Sequence, residues 1–107
     1  MITMIAHLKV LAENATSYEA LMTGVAEMSR RNEPGIVYYE WAKSADEPDT
    51  YLVIEVYRDG EAHASHMAAS WVVEALPKAA RLIEGRPHIR QYVSHGSAPV
   101  RRTVASD

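Results

Sequence analysis

Apolar and polar residues alternate from Ile2 to Leu11, with Ile2, Met4, Ala6, Leu8 and Val10 on one side and Thr3, Ile5, His7 and Lys9 on the other. A period of two over that length predicts a strand with one apolar face packed on helices. Asn14-Ala15-Thr16-Ser17 then offers N-cap oxygens, and Glu19 stands three residues after Thr16 as in a capping box. The period changes to that of a helix through Tyr18, Leu21, Met22, Val25 and Met28. The helix is expected to end near Asn32, because Pro34 cannot continue it and Gly35 permits a sharp exit. Strand two is predicted over Ile36 to Lys43 and strand three over Thr50 to Tyr57, joined by the polar hairpin loop from Ser44 to Asp49.

Asp59 is positioned to cap a helix running to about Ala69. A second helical stretch, Val72 to Ile83, is expected to turn Val73, Leu76, Ala80 and Ile83 inward and to kink or break at Pro77. Gly85 caps its exit, and Arg86-Pro87 leads into a last strand from His88 to Ser94. The order β-α-β-β-α-β predicts an α+β, ferredoxin-like antiparallel sheet with its helices on one face. Residues 1–95 form that single domain, and residues 96–107 form a tail, mobile or packed on the partner subunit, because they lack an apolar pattern. The uncovered sheet face is expected to hold Ile5, Val53, Tyr38 and Tyr57, an apolar patch that a homodimer would bury.

Composition narrows the function classes. Hydrophobic residues make up 48% of the 107 positions and charged ones 23%, an ordinary globular balance. The 11 basic and 14 acidic residues include no long run of either sign, which argues against a nucleic-acid partner. Cysteine is absent, so disulfides, thiolate catalysis and zinc–thiolate sites are excluded and a cytoplasmic location is the expectation. The apolar runs predict neither a membrane span nor a secretory leader. Phenylalanine is also absent, so six Tyr, two Trp and five Met supply the large side chains.

The candidate chemistry lies where strand three turns into the next helix. Alternation puts Tyr51, Val53, Glu55 and Tyr57 on one face, and His66 follows Tyr57 by nine residues, where a short turn can return its imidazole toward that face. An imidazole titrates near neutral pH and can take a phenol or enol proton. His66 and Tyr57 are therefore the catalytic candidates, against the plainer reading of a structural histidine. His7, Tyr38, Glu40 and Glu55 are the candidates for substrate binding, although ion pairs of the two carboxylates with Arg90 or Lys9 across a dimer explain them equally well. His63 and His66 have a spacing of three that suits a metal, but no third ligand is in register, so no metal is expected. Trp41 is assigned to the core and Trp71 to a lid or to packing. Arg86, Arg101 and Arg102 are read as solvated rather than as anion ligands. No phosphate loop, dinucleotide fingerprint or nucleophile elbow is present, and no cofactor is expected.

Glu33-Pro34-Gly35, the strand Tyr38-Tyr39-Glu40, and Tyr51-Leu52-Val53-Ile54-Glu55-Val56-Tyr57-Arg58-Asp59 running into His66 resemble the antibiotic biosynthesis monooxygenase family of dimeric α+β barrels. The resemblance spans roughly Met4 to Tyr92 and maps Glu55, Tyr57, Asp59 and His66 onto the family pattern. It implies a homodimer and, in one branch, cofactor-free oxygenation of phenols or quinols. Haem-degrading relatives use an Asn in strand one, where this chain has His7, and a later His that the surroundings of Leu76 do not supply. A further branch isomerises phosphorylated autoinducer-2. The expected activity is a cofactor-independent monooxygenase acting on a small aromatic, quinol or enolisable molecule. The alternatives are an isomerase of a small hydroxyketone and a non-enzymatic ligand-binding dimer.

Overall fold

The computed structural model describes residues 1–101. Its elements are β1 (Ile2–Lys9), α1 (Ala12–Asn32), β2 (Ile36–Lys43), β3 (Thr50–Tyr57), α2 (Gly60–Ala68), α3 (Ser70–Leu82) and β4 (Glu84–Val93). The four strands form one antiparallel sheet in the order β2-β3-β1-β4, which is the ferredoxin-like α+β arrangement expected from the pattern. Strands two and three have the predicted bounds. No helix among the described residues is long and apolar enough to cross a membrane.

The sheet divides cleanly into two faces. Residues directly opposite on paired strands share a face, so the pairs Ala6–Val53, Ile2–Tyr57 and Trp41–Val53 lie on one side and Ile5–Ile54, His7–Leu52 and Glu40–Ile54 on the other. The first side carries the buried Ile2, Met4, Ala6, Leu8, Tyr39, Tyr51, Val53 and Tyr57, with Tyr18, Met22, Val25, Val72 and Ala75 of the helices packed over it. Tyr18 meets Tyr51 edge-on at 5.3 Å between ring centroids, and Trp41 belongs to the same layer. Val53 and Tyr57 are therefore core residues rather than members of the open face, whereas Ile5 and Tyr38 do lie there. A bulge between Ile36 and Tyr38 breaks the alternation of β2 and leaves both Val37 and Tyr38 exposed.

Three helix expectations give way to tertiary contacts. Helix α1 begins at Ala12, with Leu11 at the N-cap and no side-chain cap, so the Thr16–Glu19 box lies inside it. Asn14 instead donates to the Leu82 carbonyl, and Glu19 accepts the Tyr51 hydroxyl; both tie α1 to its neighbours. The chain breaks at Ala69, whose extended backbone separates α2 from α3, while α3 continues through Pro77. Val73, whose carbonyl Pro77 cannot serve, and Pro77 itself are both exposed, so water can satisfy that carbonyl. Restarting the helix at Ser70 sets a new phase, in which Val72 and Ala75 face the core and the expected Val73, Leu76 and Ala80 are exposed.

Strand β4 starts earlier than predicted, at Glu84, and takes in Gly85 with φ of 72°, in the left-handed region that favours glycine. Its register against β1 slips between His7 and Lys9, where Pro87 interrupts the ladder. Of the tail, Val100 packs on the Ile2–Met4–Tyr57 cluster, held by both ends of the Gln91 amide. Residues 102–107, Arg102 among them, lie outside the described residues.

Candidate functional site

Glu33 ends α1 as its C-cap, its backbone N–H bonded to the Ser29 carbonyl at 3.0 Å. The turn that follows is seated on the start of α2. Arg58 N–H donates to the Gly35 carbonyl at 2.8 Å, and a Cβ at position 35 would sit only 2.5 Å from Cβ of Ala62. Glycine is required there because the Ala62 methyl fills the space a side chain would take. Asp59 caps α2 as predicted, accepting from Ala62 N–H at 2.9 Å. The helix is short, so His66 falls in its last turn rather than near its start. This places His66 over Glu33: the imidazole Nδ1 is 3.2 and 3.1 Å from the two carboxylate oxygens, and both side chains are almost fully buried.

Aromatic rings enclose this pair. Tyr39 lies 5.1 Å and Tyr57 5.5 Å from the imidazole centroid, and His63 meets the Tyr57 ring edge-on at 5.1 Å. The Tyr57 hydroxyl donates to Oε1 of Glu55. Burial and the nearby Glu55 carboxyl push both Tyr57 and Tyr39 well above the ordinary phenol range, so both remain neutral donors. Burial also raises Glu55, and its hydrogen bond from Tyr57 and the neighbouring His66 only partly offset that effect. His63 is lowered by burial and by His66.

A cavity of about 90 Å³ opens between the sheet and the helices. Met22, Val25, Met67, Val72, Ala75, Leu76 and Ala79 make its wall apolar, and Tyr39, Glu55 and His66 form its polar end. Nδ1 of His66 is engaged by Glu33, so Nε2 is the ring nitrogen left for a guest; it has no hydrogen-bond partner among the described residues. The arrangement resembles the carboxylate–imidazole pairs in which the acid fixes the tautomer and the orientation of the ring.

The candidates read from the sequence separate by sheet face. His66, Tyr57 and Glu55 come together, although Tyr57 does not itself line the cavity. His7, Tyr38 and Glu40 do not join them. His7 stands opposite His88 and Leu52 on the open face, Tyr38 is half-exposed beside Val56, and Glu40 accepts from the Trp41 backbone N–H. Lys9 and Arg90 share that open side through their partners Thr50 and Ile5, so Glu55 faces away from both. Trp71 packs rather than lids the cavity, its indole N–H donating to the buried Ser29 hydroxyl at 3.1 Å.

Two site residues were missed. Tyr39 was legible, because the alternation that assigns Trp41 to the core assigns Tyr39 with it. Glu33 was visible only as part of a turn motif; nothing local marks a C-cap glutamate as buried against a residue 33 positions away.

Comparison with known proteins agrees with this geometry. The model of the antibiotic biosynthesis monooxygenase family matches residues 1–95. A protein of Caulobacter crescentus assigned to the antibiotic biosynthesis monooxygenases has a structure similar to this one at a TM-score of 0.81, with 27% identity over 85% of this chain and 86% of that one. A protein of Nitrosomonas europaea with the same assignment gives a TM-score of 0.82 at 20% identity, covering 89% of this chain and 99% of that one. One from Deinococcus radiodurans gives 0.79 at 21%, covering 95% and 100%. At the latter two identities the likeness is one of fold. A search among curated proteins finds no match. With the family pattern running from Met1 to His95, the chain belongs to the antibiotic biosynthesis monooxygenase family.

Proposed function

We propose that this protein is a monooxygenase that works without flavin, haem or metal on a small aromatic, quinol or enolisable molecule bound between the sheet and the helices. The observation that carries the reading is the buried Glu33–His66 pair, whose imidazole lines an apolar cavity and keeps Nε2 without a partner among the described residues. An imidazole oriented by a carboxylate can serve as a general base, and removing a phenol or enol proton leaves an electron-rich anion with which dioxygen can react. The substrate then supplies the electronic activation, and the protein supplies the base, the orientation and the exclusion of water. Two features of the residues favour a reaction without metal: the chain has no cysteine, and no group of three or more His, Asp or Glu is placed to hold an ion among the described residues.

Size restricts the guest. Drug-sized ligands occupy pockets of roughly 300–1,000 Å³, and a cavity of about 90 Å³ suits one ring or a short chain rather than a polycycle. Oxygen uptake with methylhydroquinone tests the reading. Turnover that requires His66 supports it, and activity that appears only after flavin, haem or a transition metal is added overturns it.

The uncovered sheet face supports a homodimer. Ile5, Leu52, Ile54 and Val56 occupy its central strands and none is covered by a helix, while Tyr38 and Tyr92 are about half exposed at 50% and 54%. Two such faces packed together would bury the patch through an isologous contact.

A further inference from the structure

The polar groups at the inner end of the cavity are not fully partnered within the protein. Tyr39 is only 4% exposed, yet its hydroxyl makes no hydrogen bond among the described residues. Oε1 of Glu55 accepts the Tyr57 hydroxyl, while Oε2 has no partner there either. Nε2 of His66 is the third such atom. Buried polar atoms of native proteins nearly always find a partner, so three orphans on one cavity wall point to a guest that supplies them. They are also close together. Tyr39 and Glu55 stand directly opposite each other on β2 and β3 and so share a face with neighbouring Cβ atoms, and the Tyr39 ring lies 5.1 Å from the imidazole. The other side chains of the wall are apolar, and two of them, Met67 and Leu76, are 43% and 51% exposed and form the rim.

A ring therefore enters with a polar edge leading and an apolar edge toward Met67 and Leu76. One oxygen on the leading edge satisfies Nε2 and leaves Tyr39 and Glu55 without partners. Two oxygens at opposite ends of the ring send the second away from the polar end. Oxygens on neighbouring carbons bring both to it. Resting on the reading of His66 as the base that meets the substrate, we propose that the substrate class is a catechol, a ring with hydroxyls on two neighbouring carbons, and that Tyr39 and Glu55 seat the second hydroxyl. The first hydroxyl donates to Nε2 of His66, and the second accepts from the Tyr39 hydroxyl and meets Oε2 of Glu55. Burial and the Glu55 carboxyl keep Tyr39 a neutral donor. A hydroxyl carries one donor and two acceptor sites, so it fits either state of Glu55, giving to the carboxylate or accepting from the acid. A site that hydrogen-bonds a substrate hydroxyl rejects the analogue lacking it, because its own buried groups are then left unpaired.

4-Methylcatechol, methylhydroquinone and 4-methylphenol share a ring and a methyl group and differ only in the number and placement of their hydroxyls. Each is titrated under argon into the full-length protein, with binding read from protein NMR shifts. Wild-type protein is expected to bind 4-methylcatechol at least ~10-fold more tightly than either of the others. Tyr39→Phe removes a hydroxyl that no described group uses, so the melting temperature should not fall. The preference for 4-methylcatechol should nevertheless drop at least ~3-fold, the loss of one hydrogen bond, with the affinity for 4-methylphenol nearly unchanged. Wild-type affinities within ~3-fold of one another, the result if water fills the polar end, overturn the proposal whatever the variant does. Absence of binding by all three overturns it as well, and so does a preference that survives unchanged in folded Tyr39→Phe. Oxygen uptake above the protein-free rate is then measured on admitting air to the same samples. Preferential binding without uptake overturns the oxygenase reading and leaves the catechol site standing; uptake without preference in binding overturns the catechol site and leaves the oxygenase reading standing.

Discussion

The Nδ1 atom of His66 lies 3.1 Å from Oε2 of Glu33, joining the last turn of α2 to the C-cap of α1 in a pair with side-chain exposures of 3% and 9%. The pair has a structural and a chemical consequence. A buried carboxylate that loses its partner is costly, roughly 3–5 kcal/mol. It follows that His66→Ala should lower the melting temperature markedly, a result that says nothing about catalysis. His66→Gln, which can still donate to Glu33, is the cleaner test: thermal melts should show the smaller loss, and turnover should fall by ~10²–10⁴-fold. Retained turnover in a folded His66→Gln protein would remove His66 from the chemistry.

Glu33→Gln should keep the fold and the hydrogen bond but surrender the carboxylate that orients the base. Loss of such an outer partner typically costs ~10–100-fold. Steady-state kinetics should place the loss mainly in kcat, because Glu33 does not line the cavity. A change confined to KM would mean that Glu33 shapes binding instead.

Gly35 is the hinge of this arrangement. Gly35→Ala puts a methyl 2.5 Å from Cβ of Ala62, which must push α2 off the turn. Overpacking of this kind costs about 1–3 kcal/mol, and activity should drop because His66 moves with its helix. Adding Ala62→Gly removes the colliding atom, so the double variant should recover most of the stability lost. Melting curves of the two singles and the double settle the point through their non-additivity.

Stability should vary with pH in two opposing ways. Glu55 is raised in the folded state, so the protons it binds favour the fold at low pH, and that stability is lost as pH rises from the ordinary carboxylate range through the raised folded value. His63 is lowered, so its contribution is present above the ordinary imidazole range and is lost as pH falls through its lower folded value. Denaturant melts from acid to neutral pH should show Glu55→Gln removing the decline with rising pH and His63→Gln removing the decline on acidification. Parallel curves for wild type and both variants would contradict the assignment.

Two copies are expected to associate through the open face. Ile54 sits on it, opposite Ile5 and Glu40 on the flanking strands. Ile54→Lys should therefore shift the sedimenting mass from twice the chain mass toward one chain at micromolar concentration, with little change in the monomer fold. A wild-type protein that sediments as a monomer would defeat the proposal directly.

Much of this architecture was legible in one dimension because it is set by local rules. Alternation placed β2 and β3, Pro34 ended α1, and Asp59 capped α2, each through contacts within a few residues. Pairing Tyr51, Val53, Glu55 and Tyr57 on one face likewise needed only the period of a strand. What periodicity lacks is a sign: it shows that two sets of residues lie on opposite faces without saying which set the helices will cover. That ambiguity put Val53 and Tyr57 on the open side and gathered His7, Tyr38 and Glu40 into a site on the face they do not share.

The phase of α3 and the partner of His66 were decided by the tertiary structure alone. No glycine or proline marks the break at Ala69, yet it rotates the inward stripe of α3 from Val73 and Leu76 to Val72 and Ala75. The Thr16–Glu19 capping signal yielded to contacts with Leu82 and Tyr51, which burial makes stronger than an exposed cap. His66 was chosen from the sequence as an acid–base residue by its type and spacing. Glu33, which gives that imidazole its orientation, is brought to it only when Gly35 allows the turn after α1 to seat on the Ala62 methyl, a close approach between distant segments that no local pattern encodes.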